Sequence, residues 1–312
     1  MNAETQGAAQ PAAAAVVDVR DLVKVFGTHR ALDGLSFAIA PGEIVALLGS
    51  NGAGKSTLIG CLLGFLLPGS GTVSIWGQEA GALDALRRAR MGYVPQAMNA
   101  FGSFRVGQLI AYLGGFYASV PQAPDPALLA WADLDPAARV GRLSGGQKQR
   151  LAIVLALRHR PDFLILDEPV ASLDPQARRD FMALLDEYCA RTGACVLMSS
   201  HILSDLEKVA TRALFMARGR IVHDTPMERF RRATRWIVPA GDGGAAPPTG
   251  PAGPIADRLP APLTCLGRDA ATGALLVDGW DDRLADALQA AFAHPVSVRH
   301  PDLEAAFLEI TR

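Results

Sequence analysis

The sequence predicts an α/β fold with a parallel sheet at its centre, and three observations predict it. First, apolar runs typical of strands buried on both faces occur at Ile44–Leu48, Phe163–Leu166 and Cys195–Met198. Second, a helical stretch separates the last two runs, which is the pattern of a β-α-β unit with parallel strands. Third, a glycine-rich turn follows the first run and leads into a helical stretch, Leu58–Leu66. The 312 residues allow one large domain and a smaller one.

A small antiparallel β subdomain is predicted before and around the first core strand. Its β-prone segments are Val16–Val19, Leu35–Ile39 and Gly71–Ile75, separated by Gly and Pro turns. The preceding residues, 1–15, are rich in alanine and lack the basic residues and apolar stretch of a signal peptide. We interpret them as a disordered leader.

The pattern then becomes mostly helical, and it returns to strands further along the chain. We expect a helical subdomain inserted at about 84–158, followed by the second half of the sheet. Ala213–Phe215 and Arg220–Val222, joined by a short turn, predict a closing hairpin. The main domain is therefore expected to span residues 16–235.

A change of composition marks the end of this domain. Residues 236–262 are rich in Pro, Gly, Ala and Asp, as in a linker. Residues 263–312 are expected to form a small C-terminal α/β unit. It should contain an amphipathic segment, Leu284–Phe292, and a terminal helix, Leu303–Ile310.

Charge and hydropathy exclude several classes of protein. The formal net charge is −1, half of the residues are hydrophobic and a fifth are charged, which is ordinary for a globular protein and predicts no nucleic-acid partner. No apolar run approaches the roughly 20 residues of a membrane-spanning helix, so we expect membrane association only through a partner. The densest basic cluster fits a solvated helix face, with lipid or partner contact as the alternative; it comprises Arg229, Arg231, Arg232 and Arg235. The cysteines lack metal-ligand spacing and are expected to be buried, reduced thiols: Cys61, Cys189, Cys195 and Cys265.

The glycine-rich turn fits the phosphate-binding pattern G-x-x-x-x-G-K-S. It lies between a strand and a helix, which is the context that this pattern requires. The glycines let backbone N–H groups surround phosphate oxygens, and the helix presents its positive end. Lys55 is expected to neutralise β- and γ-phosphate oxygens, the Ser56 hydroxyl to bind Mg²⁺ and Thr57 to contact the α-phosphate. The predicted nucleotide-binding residues of this loop are Gly49, Asn51, Gly52, Gly54, Lys55, Ser56 and Thr57.

Two carboxylates follow the apolar run Phe163–Leu166. In a doubly wound sheet this end of a strand faces the ligand crevice. Asp167 is therefore expected to hold Mg²⁺ through water. Glu168 can reach the γ-phosphate if the backbone turns at the end of the strand, and it would then polarise the attacking water.

A third motif narrows the class of protein. Leu143-Ser144-Gly145-Gly146-Gln147 precedes a helical stretch, lies about 20 residues before the acidic pair and resembles the full signature motif of the ABC ATPases. Other segments resemble the remaining family motifs in the same order: Tyr93-Val94-Pro95-Gln96 the Q-loop, Ser172-Leu173-Asp174 the D-loop, and Ser199-Ser200-His201 the switch histidine.

Phe26 stands where this family has an aromatic residue against adenine, usually tyrosine, and core packing of Phe26 is the alternative. The resemblance covers residues 16–235. The segment Pro301–Leu308 also resembles the final helix of the ATPases of drug, antibiotic-peptide and polysaccharide exporters.

The resemblance implies a P-loop NTPase fold with a RecA-like parallel core, and an ATPase that uses Mg²⁺. It implies that ATP lies between two copies, with Lys55 of one copy and Ser144 and Gly146 of the other sharing one triphosphate. Gly145 and Gln147 of the signature motif and Asp174 of the D-loop are further predicted nucleotide-binding residues. Glu168 would be the general base, His201 would position the γ-phosphate, and Gln96 would connect Mg²⁺ and water to the permease contact.

The resemblance also implies partners and a location. The ATPase would pair with a second, possibly identical, subunit and with a separate membrane permease at the cytoplasmic face of the bacterial inner membrane. The aromatic segment Phe101–Tyr117 is where the family docks a coupling helix, although these aromatic residues could instead form core. A soluble ABC ATPase acting on ribosomes or DNA, an importer ATPase and a P-loop kinase or GTPase are the alternatives. The signature motif disfavours the kinase and GTPase.

Overall fold

The computed structural model of the chain describes residues 15–117, 124–239, 259–270, 272–292 and 295–311. The predicted disordered leader, apart from Ala15, and most of the predicted linker lie outside these residues. The strands of the described part are β1 Val17–Phe26, β2 His29–Ile39, β3 Ile44–Gly49, β4 Ser70–Ile75, β5 Gln78–Glu79, β6 Met91–Val94, β7 Phe163–Asp167, β8 Cys195–Ser199, β9 Arg212–Ala217, β10 Arg220–Pro226, β11 Arg235–Pro239, β12 Thr264–Arg268, β13 Leu275–Asp278 and β14 Val296–Arg299. The helices are α1 Lys55–Leu62, α2 Ala85–Arg88, α3 Val106–Gly114, α4 Pro126–Ala132, α5 Gly145–Leu157, α6 Pro175–Thr192, α7 Leu203–Val209, α8 Met227–Ala233, α9 Ala285–Ala291 and α10 Leu303–Ile310.

The central sheet has six strands in the order β10-β9-β3-β8-β7-β6, and all neighbours are parallel except the β9–β10 hairpin. Every residue of β7 and β8 is buried, and so is β3 up to Leu48. Strands buried on both faces are expected to be apolar without alternation, which is the pattern in the sequence. The predicted α/β fold with a parallel core is confirmed.

An antiparallel sheet in the order β2-β1-β4-β5 packs beside the central sheet. Its buried residues, such as Val17, Val19 and Ile75, share one hydrophobic cluster with α1 and with one face of the central strands. A second large cluster contains residues of α5, α6, α7 and α10 together with the other residues of β3, β7 and β8. The central sheet therefore separates two cores, and the predicted N-terminal antiparallel subdomain is confirmed.

The helical subdomain differs from the predicted range of about 84–158. Met91–Val94 lies within that range but forms β6, the edge strand of the central sheet, paired in parallel with β7. At Gly92 a Cβ atom would lie 2.6 Å from the carbonyl oxygen of Ala156, so the glycine lets α5 approach this strand closely. Helices α3, α4 and α5 follow it. The inserted helical part therefore begins after β6, at a later residue than predicted.

The C-terminal unit is an antiparallel sheet in the order β12-β13-β11-β14 with helices α9 and α10. Residues 236–239, predicted as the start of a linker, belong to β11, which pairs with both β13 and β14. Ile237 is fully buried in the core of this unit. This is a correction: the chain enters the second sheet at the end of the first domain, because β11 supplies the middle strand between partners that come much later in the sequence.

The cysteine prediction also needs one correction. Cys61, Cys189 and Cys195 are free and buried, as expected, but Cys265 is free and exposed. It lies on β12, an edge strand whose outer residues are accessible to solvent. Within the described ranges, no helix combines the length and apolar character required to cross a membrane.

Candidate functional site

Four neighbouring parallel strands end at one edge of the central sheet, and a predicted site residue follows each of them. The chain leaves β3 into the glycine-rich loop, β7 into Glu168, β8 into His201 and β6 into Gln96. Because the carboxyl ends of parallel strands lie together, residues far apart in sequence meet here. The register pairs Asp167 with Ser199 across β7 and β8.

A cavity of about 280 Å³ opens at this edge. Its lining joins the end of the β1–β2 hairpin, the glycine-rich loop and the carboxylates. The predicted residues that line it are Phe26, Asn51, Gly52, Gly54, Lys55, Ser56, Thr57, Gln96, Asp167, Glu168 and His201. The structure therefore brings together one aromatic side chain, one ammonium group and two carboxylates in a single concave site.

The glycine-rich loop wraps closely before α1. Gly52 and Gly54 have φ angles of +82° and +105°, which glycine adopts without a steric penalty. A Cβ at Gly54 would lie 2.6 Å from the Ala31 carbonyl oxygen, so a larger residue does not fit there. Helix α1 begins at Lys55 and presents the unpaired N–H groups of its first turn to the loop, as an anion-binding helix end does.

Lys55 places an ammonium group inside this loop. Its Nζ donates to the carbonyl oxygens of Gly49 at 2.5 Å and Ser50 at 3.2 Å. Gly49 itself does not line the cavity and acts through this carbonyl group. Burial lowers the pKa of Lys55, and the charges of Glu168 and Asp167 partly oppose that shift. A buried ammonium group of this kind is stabilised by phosphate oxygens.

The two consecutive carboxylates both reach the cavity because the backbone changes conformation between them. Asp167 ends the extended strand β7, whereas Glu168 has a φ of +52°, in the left-handed region. The Asp167 Oδ1 atom accepts a hydrogen bond from the Ser199 hydroxyl at 2.7 Å. The Glu168 N–H donates to the same hydroxyl oxygen at 3.1 Å. A non-glycine residue in this conformation is uncommon and typical of functional sites.

Glu168 and His201 form a contact pair at the mouth of the cavity. The His201 N–H donates to Glu168 Oε2 at 3.1 Å, and His201 Nε2 lies 3.1 Å from Glu168 Oε1. Burial raises the pKa of Glu168, whereas the nearby His201 and Lys55 oppose that rise. A carboxylate with a raised pKa accepts a proton more readily, which suits a general base. The His201 side chain is half-exposed and can therefore also face a ligand.

Oxygen donors suited to a hard cation also line the cavity. They are the Ser56 hydroxyl, the Gln96 carboxamide and the Asp167 carboxylate. In the described residues, no group of three or more His, Cys, Asp or Glu side chains could hold a metal ion. The donor set fits Mg²⁺, which commonly takes one or two protein ligands together with phosphate oxygens and water.

The predicted signature residues lie away from this cavity. Ser144 is the N-cap of α5, where its hydroxyl accepts from the Gln147 N–H at 3.2 Å and the Gln147 side chain accepts from the Ser144 N–H at 3.0 Å. A Cβ at Gly146 would lie 2.9 Å from the Ser172 carbonyl oxygen, so the signature and D-loop segments pack together. Ser144, Gly145 and Gln147 are exposed. This leaves an accessible helix N-terminus that does not face the cavity of its own chain.

Asp174 also lies outside the cavity of its own chain. Its carboxylate caps α6 by accepting from the Gln176 and Ala177 N–H groups, at 3.0 and 2.9 Å. It also pairs with Arg150 at 3.2 Å. Its predicted contact with nucleotide therefore stays a prediction that involves a second molecule.

Three lining residues were not predicted: His29, Ala31 and Ser50. His29 pairs with Phe26 across the turn of the β1–β2 hairpin, so both residues reach the same end of the cavity. The signal in the sequence is the spacing of an aromatic residue and a histidine on either side of a Gly-Thr turn. Ser50 lies inside the glycine-rich pattern at a position where any residue is allowed.

Phe26 is 46% exposed, so the structure disagrees with the alternative of core packing. Lys24 Nζ lies 5.2 Å from the centre of the Phe26 ring.

Stacking of a base on an aromatic ring contributes about 1–3 kcal/mol. We expect Phe26→Ala to weaken ATP binding by at least about fivefold and Phe26→Tyr to preserve it, as measured by equilibrium titration. Phe65→Ala, at another exposed ring outside the cavity, is the control, and equal affinity of Phe26→Ala and wild type would contradict the stacking role.

The fold and the site together define a P-loop nucleotide hydrolase. A family model described as ABC transporter matches residues 32–171. The Nod factor export ATP-binding protein I of Paraburkholderia xenovorans (strain LB400) is 38% identical over 211 residues, which cover 66% of this chain and 69% of that protein.

Solved structures give the same result. The ATP-binding subunit of an ABC transporter matches with a TM-score of 0.63 and 27% identity, over 69% of this chain and 92% of that one. A dimeric ATP-binding cassette bound to ADP and phosphate matches in fold, with a TM-score of 0.60 and 23% identity, over 68% of this chain and 98% of that one. The chain belongs to the ABC transporter family as an ATP-binding subunit. It is an ATPase, and the domains of this family bind ATP.

Proposed function

We propose that this chain powers export through a separate membrane permease, by ATP-driven closure and opening of a pair of ATPase subunits. One observation carries the proposal: the exposed N-terminus of α5 bears Ser144 and Gly145, and neither residue lines the cavity of its own chain. A serine hydroxyl and free helix N–H groups form an anion site. In a facing pair, this site would bind the γ-phosphate held by the other subunit.

We propose one role for each residue within a cavity. Lys55 binds β- and γ-phosphate oxygens, and Thr57 contacts the α-phosphate. Ser56, Gln96 and Asp167 would hold Mg²⁺, which neutralises charge on the phosphates when bound. The Ser199 hydroxyl orients Asp167 through its hydrogen bond.

Proton transfer involves the Glu168 and His201 pair. Glu168 accepts a proton from the attacking water, and its raised pKa favours that transfer. His201 is held beside Glu168, and its half-exposed side chain would contact the γ-phosphate. Once the γ-phosphate is cleaved, Lys55 of one copy and Ser144 of the other no longer share one triphosphate, so the pair opens.

A row of four aromatic rings supports docking of the permease; Phe101, Tyr112 and Phe116 are exposed, and Phe104 is partly buried. Phe101, Phe104, Tyr112 and Phe116 follow one another with ring centres 5.9, 5.4 and 5.5 Å apart. Phe116 is 68% exposed, so these rings are not simply core. An amphipathic helix docks on such a surface through its apolar face. In the sequence the row lies between Gln96 and α5, and helix α3, which carries Tyr112, contacts α5. A permease helix docked on this row would place the subunit at the cytoplasmic face of the inner membrane.

Export as the direction of transport rests on the relatives. The related Nod factor proteins are named for export. The terminal segment that resembles those of exporter ATPases forms helix α10, as the sequence predicts.

A mixing experiment tests the shared site. Lys55→Ala and Ser144→Asp are each combined with Glu168→Gln, so that bound ATP is not consumed. Aspartate preserves the N-cap of α5 but places a negative charge against the triphosphate. We expect each double variant alone to stay monomeric with ATP and their mixture to dimerise, because one composite site is then intact. Light scattering after size exclusion measures the outcome.

Two outcomes would contradict the proposal. A mixture that stays monomeric, while the Glu168→Gln chain alone dimerises with ATP, would show that Ser144 does not act across the pair. A Glu168→Gln chain that stays monomeric even with its membrane partner would refute the paired mechanism as a whole.

A further inference from the structure

Helix α7 directly follows the site histidine. It begins at Leu203, two residues after His201, and the Ile202 N–H at its start donates to the Ser200 hydroxyl at 3.0 Å. The His201 N–H is in turn bonded to the Glu168 carboxylate. A shift of α7 therefore moves the backbone that holds His201 beside Glu168.

The position of α7 depends on packing, because its seven residues are too few for a helix that is stable by itself. Its buried residues Leu203 and Leu206 belong to the same hydrophobic cluster as Leu303 and Ala306 of α10, which are fully buried. Helices α7 and α10 are in contact. The C-terminal unit thus completes the packing around the helix that follows His201.

Arg231 of α8 contacts the other end of α7. Arg231 donates a hydrogen bond to the Glu207 carbonyl oxygen, one of the last four carbonyl groups of α7, which lack partners within the helix. Arg229 pairs with the nearly buried Asp278 of β13 at 2.7 Å. The Trp280 N–H donates to the Ala233 carbonyl oxygen at 2.9 Å. Helix α8 therefore connects the C-terminal sheet to α7.

These contacts account for much of the basic cluster. Arg235 donates to the carbonyl oxygens of Arg231 and Thr234. Three of the four arginines therefore contact the protein itself, and the neighbouring Arg232 is exposed on the same helix. Arg229, Arg231 and Arg232 are exposed, as expected for a solvated helix face, and the contacts of Arg229 and Arg231 also join the two parts of the chain.

We propose that the C-terminal unit is a positioning element for His201, and that Leu303 and Arg231 are the positioning residues through which it acts on α7. The inference rests on the proposed role of His201 in hydrolysis. On this proposal the C-terminal unit changes the rate of γ-phosphate cleavage without contacting the nucleotide.

The separation of the two cores predicts which kinetic parameter changes. Residues of the glycine-rich loop, α1 and the sheet that contains β1 and β2 belong to one cluster. Residues of α7 and α10 belong to the cluster on the other face of the central sheet. ATP binding depends on the cluster that contains α1, whereas the position of His201 depends on the cluster that contains α7 and α10. Loosening α10 should therefore lower the rate of hydrolysis and leave ATP affinity unchanged.

The test is single-turnover ATP hydrolysis by the full chain, with ATP affinity measured in parallel. We expect Leu303→Ala to slow hydrolysis about tenfold, which is less than the roughly 100-fold that a misplacement of about 1 Å can cost. ATP affinity should stay within about twofold, and Leu303→Met, which conserves side-chain volume, should restore the rate. The control is Leu308→Ala on the same helix, where the side chain is 54% exposed.

A double-mutant cycle shows whether the effect passes through His201. In a His201→Ala background, Leu303→Ala should cause no further loss of rate. An equal fall in both backgrounds, or a parallel loss of ATP affinity, would overturn the positioning role and leave the proposed function intact. If His201→Ala alone hydrolyses ATP at the wild-type rate, the proposed role of His201 fails, and the inference fails with it.

A second pair of variants tests the same route without opening the core. Arg231→Ala removes the hydrogen bond to α7, and Arg232→Ala is the matched control because both side chains are exposed. We expect the first to slow hydrolysis several-fold with unchanged ATP affinity and the second to leave the rate unchanged. Should Leu303→Ala fail to fold, equal rates for the two arginine variants would by themselves overturn the proposal.

Discussion

Glu168→Gln is expected to lower ATP hydrolysis by at least about 100-fold while ATP binding persists, since a positioned general base contributes about 10²- to 10⁴-fold. Glutamine preserves the size of the side chain but cannot accept the proton of the attacking water. It still offers an oxygen to the His201 N–H, which donates to Glu168 at 3.1 Å. The site should therefore stay assembled, and ATP should remain bound between two subunits.

The measurements are steady-state phosphate release and the mass of the ATP-loaded protein. Glu187→Gln, at an exposed glutamate on α6, is the control and should hydrolyse ATP at the wild-type rate. Near-normal turnover of Glu168→Gln would refute the role of general base. Because the pKa of Glu168 is raised, the wild-type rate should fall on acidification at a higher pH than for an ordinary carboxylate, as the base becomes protonated.

Lys55→Met is expected to weaken ATP binding by at least about 30-fold, since loss of one partner of a buried charge pair costs about 2 kcal/mol or more. Methionine preserves most of the apolar stem and removes the charge that neutralises the β- and γ-phosphates. Affinity for AMP, which lacks these two phosphates, should change little. Equilibrium titration with both nucleotides distinguishes a loss of phosphate contacts from a general loss of the site.

Stability provides the control for this variant. Burial lowers the pKa of Lys55, so its charge is unfavourable in the free protein. An apolar replacement of similar size is often neutral or stabilising at such a position. We therefore expect Lys55→Met to unfold thermally at or above the wild-type temperature. Lys208→Met, at an exposed lysine, is the control for the binding measurement and should bind ATP normally. Equal loss of ATP and AMP binding would contradict the assignment.

The sequence predicted the residues of the cavity well because local motifs encode them. A glycine-rich loop between a strand and a helix is readable from a few consecutive residues, and so is an acidic pair after a buried strand. The conformation of Glu168 is less readable. The sequence offers a glutamate where the backbone has a φ of +52°, and only the hydrogen bonds to Ser199 from the neighbouring strand show why this conformation persists.

The predictions that needed correction depend on distant pairing. Strand β6 has four residues and includes Gly92, so its local pattern is weak, and its partner β7 follows about 70 residues later. The local composition of residues 236–239 predicts a linker, whereas the partners that make them part of strand β11, β13 and β14, come roughly 40 to 60 residues later. The exposure of Cys265 follows from its position on the edge strand β12. Such facts are properties of the assembled sheets, and a local pattern does not contain them.

The arrangement of the four strand ends has a consequence during synthesis of the chain. The glycine-rich loop is synthesised directly after β3. Asp167 and His201 join it only after β7 and β8, which are synthesised much later, have paired into the sheet beside β3. An incomplete polypeptide therefore lacks a finished pocket. In the finished protein, bound nucleotide raises the free energy of unfolding. This increase grows with the logarithm of the ratio of the nucleotide concentration to its dissociation constant. ATP in the cell would thus selectively protect molecules whose central sheet is complete.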